Sequence, residues 1–175
     1  KLLDEVNQRV IRLLGLGKAD RILIEDFVRW NMQIIKGKVP RIVTKPPDLK
    51  TINGYLKTLK AELDIFLGDN AGVRHSVDAL YDEFSAIVAI AVKTGSDNAP
   101  SVFRADEKAA ISLANTREHL LKQHSQWLYF ARDLRVYADN TVYMLKPLEQ
   151  IQWTSRQAIL DAGEVIAETL GQQNT

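Results

Sequence analysis

Apolar residues in this chain recur every three or four positions as far as Leu67, then nearly every second position from Val73. A chain that changes period in this way must place helices and strands in separate runs, which is the signature of an α+β rather than a βαβ fold. In the first run, Leu3, Val6, Val10, Leu13 and Leu14 stop at Gly15, a residue suited to a left-handed helix end. Between Asp20 and Ile35 two apolar rows, Leu23, Phe27, Trp30, Ile34 and Ile24, Val28, Ile35, cover more than one face, so this helix is expected to be largely buried. Lys36 and Gly37 end it. Pro40, Pro46 and Pro47 then prevent a helix and favour an extended linker. The next helix is capped by Asp48, carries Ile52, Leu56, Leu59, Leu63 and Phe66 on one face, and closes at Gly68.

Beyond Gly68 the segments 73–80 and 84–92 read as a hairpin joined at Tyr81, Asp82 and Glu83, with 101–104 as an added strand. Asp106 opens a helix through EKAAISLANTREHLLKQ. A second hairpin is expected from 128–137 and 141–148 around Asp139 and Asn140, residues that tolerate tight-turn conformations. Thr154 and Gln157 form a capping-box pattern that starts a last helix ending at Gly171. The expected fold is one α+β domain over 1–175, with a helical part (1–68) and a mixed part (69–171). Its antiparallel sheet of roughly four to five strands forms two hairpins, with about five helices packed against it. The expected core is Phe27, Trp30, Leu56, Leu59, Leu63, Val88, Ile90, Ile159 and Ile166. With 175 residues and 46% hydrophobic composition, no staple is required to hold it.

Charge is unevenly distributed. Lys36, Lys38, Arg41, Lys45, Lys50, Lys57 and Lys60 face a single acid, Asp48, between 36 and 60, giving that span +6 when the whole chain carries +1. Like charges gathered so closely repel unless a partner neutralises them, which points to nucleic acid or to an acidic protein surface. Lys50 and Lys57 are expected on the exposed face of their helix, opposite the apolar row.

Sites for chemistry are sparse. Zero cysteines remove disulfides, thiolate nucleophiles and Cys-based zinc sites, and suit a reducing cytoplasm. His119 and His124 lie five apart, about 500° around a helix, and with His75 they make no zinc pattern. Asp161, Glu164 and Glu168 share a helical face and read as solvated rather than as a metal site. Asp78, Asp82 and Glu83 lack the following lysine that a nuclease-like centre would need. Gly15 and Gly17 give only a GxG, a helix-ending turn. Ser125 beside His124 has no glycine elbow. No catalytic residue, metal or cofactor is assigned, and no stretch approaches the roughly 18 apolar residues of a membrane span. The first residue, Lys1, is what a fragment or a processed product would show.

A second basic cluster, Arg132, Arg135, Lys146 and Arg156, is interleaved with Trp127, Tyr129, Phe130, Tyr137, Tyr143 and Trp153. Exposed aromatics beside arginines hold single strands in sheet-based modules, whereas the same aromatics in a core would join sheet to helix. The run QWLYFARDLRVYADNTVYMLKPLEQIQWTSRQAILDAGEVIAETL resembles the closing segment of large bacterial restriction-modification and phage-defence proteins of the DNA methylase kind. It covers roughly the last 50 residues and no catalytic motif; an Asn-Pro-Pro-Tyr methylase motif is absent, so methyl transfer is not carried over. The resemblance implies an accessory or target-contacting module. The expected function is therefore noncatalytic binding, of nucleic acid through the 36–60 lysines. The alternative is an assembly domain that meets an acidic partner or its own copy, with the oligomeric state left open.

Overall fold

The computed structural model describes residues 2–37, 43–68, 72–95, 98–109, 111, 114, 115, 118, 134–138 and 140–172. Lys38, Arg41, Arg132, His119, His124, Trp127, Tyr129, Phe130 and the expected strand residues 128–133 lie outside them. Among the described residues a five-stranded sheet with helices packed around it forms an α+β fold. Helix α1 (Leu2–Leu13) ends at Gly15, whose φ of 65° is the left-handed conformation expected there. Helix α2 (Lys18–Asp26) passes through a π-helical turn (Phe27–Asn31) into α3 (Met32–Ile35).

Helix α4 (Leu49–Leu67) begins where the Asp48 carboxylate accepts the Thr51 N–H at 2.7 Å, and stops at Gly68 with φ 63°. Its row Ile52, Leu56, Leu59 and Leu63 is buried against the sheet, each side chain worth about 1.5–3 kcal/mol of apolar transfer. In α5 (Ser155–Gln172) the Thr154 hydroxyl accepts the Gln157 N–H, the cap that the sequence predicts. Small residues on its inner face, Ala158 and Ala162, are buried where α5 packs against α4.

Strands β1 (Val73–Tyr81) and β2 (Ser85–Thr94) form the first hairpin, in register from Val73 opposite Thr94 to Tyr81 opposite Ala86. Asp82 shapes its turn by accepting the backbone N–H groups of Phe84 and Ser85. Strands β4 (Leu134–Ala138) and β5 (Thr141–Pro147) form the second, with Ala138 opposite Thr141 across the two-residue connection expected. The sheet order is β3-β1-β2-β5-β4. Between the two hairpins, β2 pairs with β5 in the antiparallel sense.

An all-antiparallel sheet is not what forms. Strand β3 (Ser101–Arg104) lies parallel to β1, Asp78 opposite Ser101 and Tyr81 opposite Arg104. The far edge of β2 is occupied by β5, so the chain after Thr94 pairs on the other side of β1, and the Gly95 N–H bonds to the Gly72 carbonyl on the way. Helical backbone follows β3, where Asp106 caps Ala109, at every described residue from 107 to 118.

The core gathers Ile52, Tyr55, Leu56, Leu59, Leu63, Val77, Val88, Ile90, Met144 and Trp153 between the sheet and helices α4 and α5. The expectation that the 20–35 helix is largely buried is corrected. Of its apolar residues Trp30 is buried, whereas Phe27 is 38% exposed and Ile24, Val28 and Ile35 are more exposed still. It packs against the start of α5, where Asp26 accepts the Arg156 N–H, which covers one side of the helix and leaves the second apolar row exposed. Ile159 and Ile166 are half-buried at the rim of α5 rather than central. Among the described residues no helix is long and apolar enough to cross a membrane.

Candidate nucleic-acid interface

The extended segment before α4 is fastened to the 3-10 turn (Gln150–Trp153) that follows β5. Ile151 and Gln150 donate their N–H groups to the carbonyls of Val43 and Lys45, which buries Val43 and leaves the Lys45 side chain exposed. Asp48, the lone acid of the segment, is committed to the N-terminus of α4. Hydrogen bonds from Thr51 hold its carboxyl below the usual range, with a smaller push from Lys50. Lys50 and Lys57 project from the exposed side of α4, and Lys36 is exposed after α3. No carboxylate lies within ion-pairing distance of Lys36, Lys45, Lys50 or Lys57 among the described residues.

Lys60 departs from this group. Its ammonium is buried and donates to Asp64 at 2.5 Å, one turn along the helix. It is therefore withdrawn from any partner, because the contact that neutralises it also takes it out of water. The second cluster is withdrawn in the same way. Lys146 is fully buried in an ion pair with Asp161, and Arg135 is wedged between the carboxylates of Glu164 and Glu168. Arg156 is half-buried, with its guanidinium 5.9 Å from the Phe27 ring. Asp161 consequently turns inward, contrary to the solvated face expected for Asp161, Glu164 and Glu168. Of the aromatics, Trp153 and Tyr55 sit edge to face in the core with centroids 5.0 Å apart, and Tyr143 is 41% exposed.

A cavity of about 460 Å³ opens where the π-helical turn, the start of α4 and the start of α5 meet. Arg29 and Lys50 lie at its rim, with Trp30, Tyr55 and Trp153 among its walls. Arg29 stacks on Trp30, 5.0 Å from the ring centroid. Two acids also line it, and both are occupied: Asp48 caps α4, and Asp26 accepts the Arg156 N–H at 3.0 Å in the first turn of α5. Each anion is thereby offset by a helix N-terminus, leaving the two cations to face solvent. Arg29 and Asp26 are invisible as site residues in the sequence, since both precede the basic span; the Arg-Trp pair at 29–30 is the one local signal.

His75, which belongs to no zinc pattern in the sequence, is a further titratable group. His75 is buried on β1, and Asp64 Oδ1 accepts both its backbone N–H, at 2.8 Å, and its ring Nδ1, at 3.0 Å. Burial pushes the imidazole below its ordinary 6.5, outweighing the opposite pull of Asp64, with Lys60 adding to the depression. For Asp64, burial raises the carboxyl, but hydrogen bonds from Lys60 and His75 leave it below 3.8. Both shifts are depressions, so both contribute stability at neutral pH that falls away in acid. His75 acts first: from pH 6.5 downward the unfolded chain takes up a proton that the folded chain resists. Asp64 follows below 3.8. Denaturant midpoints measured between pH 7.5 and 5 should therefore decline, and His75→Gln should flatten that decline; an unchanged slope in the variant would assign it to other groups.

Comparison with protein-family models, with curated proteins and with solved structures finds no match to this chain.

Proposed function

We propose that this protein is a noncatalytic module that contacts nucleic acid through Lys36, Lys45, Lys50 and Lys57, with Arg29 as an additional contact, in a DNA-processing or defence setting of the kind its C-terminal resemblance implies. The observation that carries the reading is the sorting of basic residues by their partners. Lys60, Lys146, Arg135 and Arg21 are each matched by a carboxylate, whereas among the described residues Lys36, Lys45, Lys50 and Lys57 have none. A surface that leaves one sign unneutralised attracts a polyanion and holds it by counterion release.

Titration with labelled single- and double-stranded oligonucleotides at two salt concentrations tests this. Binding should weaken steeply with salt, and replacing Lys50 and Lys57 by alanine should reduce the slope of log affinity against log salt by about 0.7 to 0.9 per lysine. Both side chains are exposed, so folding should change by no more than about 0.5 kcal/mol. Absence of binding at low salt would overturn the reading. It would favour the assembly alternative, which has its own observation: Val6, Val10, Leu13, Leu14, Ile24, Val28 and Ile35 expose much apolar surface on α1 to α3.

A further inference from the structure

At the opposite end of the helix layer from the Arg29–Lys50 cavity, a second cavity of about 480 Å³ lies between the sheet and the C-terminal half of α5. Ile90 and Val142 on the strands and Val165 on the helix supply its apolar walls, while His75, Tyr137, Asn140 and Thr169 supply polar groups. A gap between a sheet face and a helix is a slot, which suits a flat molecule better than a round one. The chemistry of its polar groups narrows the choice. Asp64 holds Nδ1 of His75, so the ring proton resides there and Nε2 is left as an acceptor. The Tyr137 hydroxyl donates to Glu168 and the Thr169 hydroxyl to the Val165 carbonyl, so the Asn140 amide is the group here that can either donate or accept. Lys60, coupled to His75 through Asp64, and Arg135, on the neighbouring strand, are both already matched by carboxylates. Among the described residues no carboxylate, lysine or arginine lines the slot, which discriminates against phosphate and carboxylate.

We propose that this slot takes a single unstacked nucleobase, one presenting a ring N–H beside a carbonyl, as in uracil, thymine or guanine. The N–H would donate to His75 Nε2, the carbonyl would accept from the Asn140 amide, and the base faces would lie against Ile90, Val142 and Val165. This deepens, and rests on, the nucleic-acid reading above. The two sites are connected along one helix. Lys50, Lys57 and Asp64 follow one another at intervals of seven residues, and this ridge runs about 21 Å from the first to the last. It therefore leads from the exposed lysines to the carboxylate that positions His75. A strand following the lysines by its phosphates would deliver a base to that end, which requires a single strand, because a paired base cannot leave its stack without cost.

The test uses the full chain with uridine and thymidine as free nucleosides, and with oligo(dT) and oligo(rU), read by calorimetry and by the NMR signals of the His75 ring. Two variants probe the slot: Val92→Trp, which places a large ring at its half-exposed mouth, and Asn140→Ala, which removes the amide that would meet the carbonyl. Thermal melting checks that each variant is folded. The expected result is that the nucleosides shift the His75 signals and that both variants weaken nucleoside binding at least about ten-fold, a factor ordinary for one lost polar contact. Oligonucleotides that bind wild type and both variants equally would overturn the base slot and leave the lysine contacts standing. Nucleosides that bind while oligonucleotides do not would keep the slot as a nucleoside site and remove the nucleic-acid reading. If neither binds, both fall.

Discussion

Replacing Lys146 by alanine should cost about 3–5 kcal/mol of folding stability, the largest effect expected of any single truncation in this protein. The ammonium has no exposure to solvent; it pairs with Asp161, donates to the Tyr55 hydroxyl at 3.2 Å, and lies 4.6 Å from the Tyr55 ring centroid. Asp161 is equally enclosed, and its carboxylate also accepts from the Tyr55 hydroxyl at 2.6 Å and the Gln157 amide at 2.5 Å. The group thus joins β5, α4 and α5 through side chains rather than through backbone. Removing the lysine leaves a buried anion held by neutral donors, and an uncompensated charge in the interior is among the most destabilising defects a fold can carry. Small domains have only about 5–15 kcal/mol in hand. The control is Lys146→Met combined with Asp161→Leu, which removes both charges and their desolvation cost together, and which should recover most of the loss. Urea denaturation at neutral pH measures both. A loss under about 1 kcal/mol for Lys146→Ala would mean that Asp161 reaches water once its partner is gone.

That pair also shows where sequence reasoning reached its limit. Caps, turns and periods are local, so Asp48, Asp106 and Thr154 mark their helices correctly, and the Asp139–Asn140 connection marks its hairpin. Partners remote in the chain are not local. Lys146 was grouped with basic surface residues, although strand alternation places it on the same face as Val142 and Met144, both on the inner side of β5. Asp161 was grouped with Glu164 and Glu168, yet it lies about 40° from Val165 around the helix, closer to the core row than to the exposed one. Each signal was present and each was outweighed by the general rule that charges stay outside. The direction of β3 had no local signal, because it depends on β5 taking the free edge of β2. For the candidate interface, the lysine density was legible, but which lysines remain available was decided by contacts such as Lys60 with Asp64.

Leu59→Ala should cost about 2–5 kcal/mol, whereas Phe27→Ala, the larger truncation, should cost about 1 kcal/mol or less. Both residues belong to regular apolar rows and both read as core in the sequence. The environments differ: Leu59 has no solvent exposure and sits between α4 and the sheet with Leu56 and Leu63, so its loss opens a cavity that rigid neighbours cannot fill. Phe27 is 38% exposed in the π-helical turn, where it meets the Arg156 guanidinium rather than a packed interior. Much of what alanine would remove there is already in water, and the vacated space is open to solvent. Denaturant unfolding of the two variants beside wild type gives the ranking directly. A reversed order would place the energetic centre in the N-terminal helices, and the apolar surface of α1 to α3 would then be core that the isolated chain fails to cover rather than a face available for assembly.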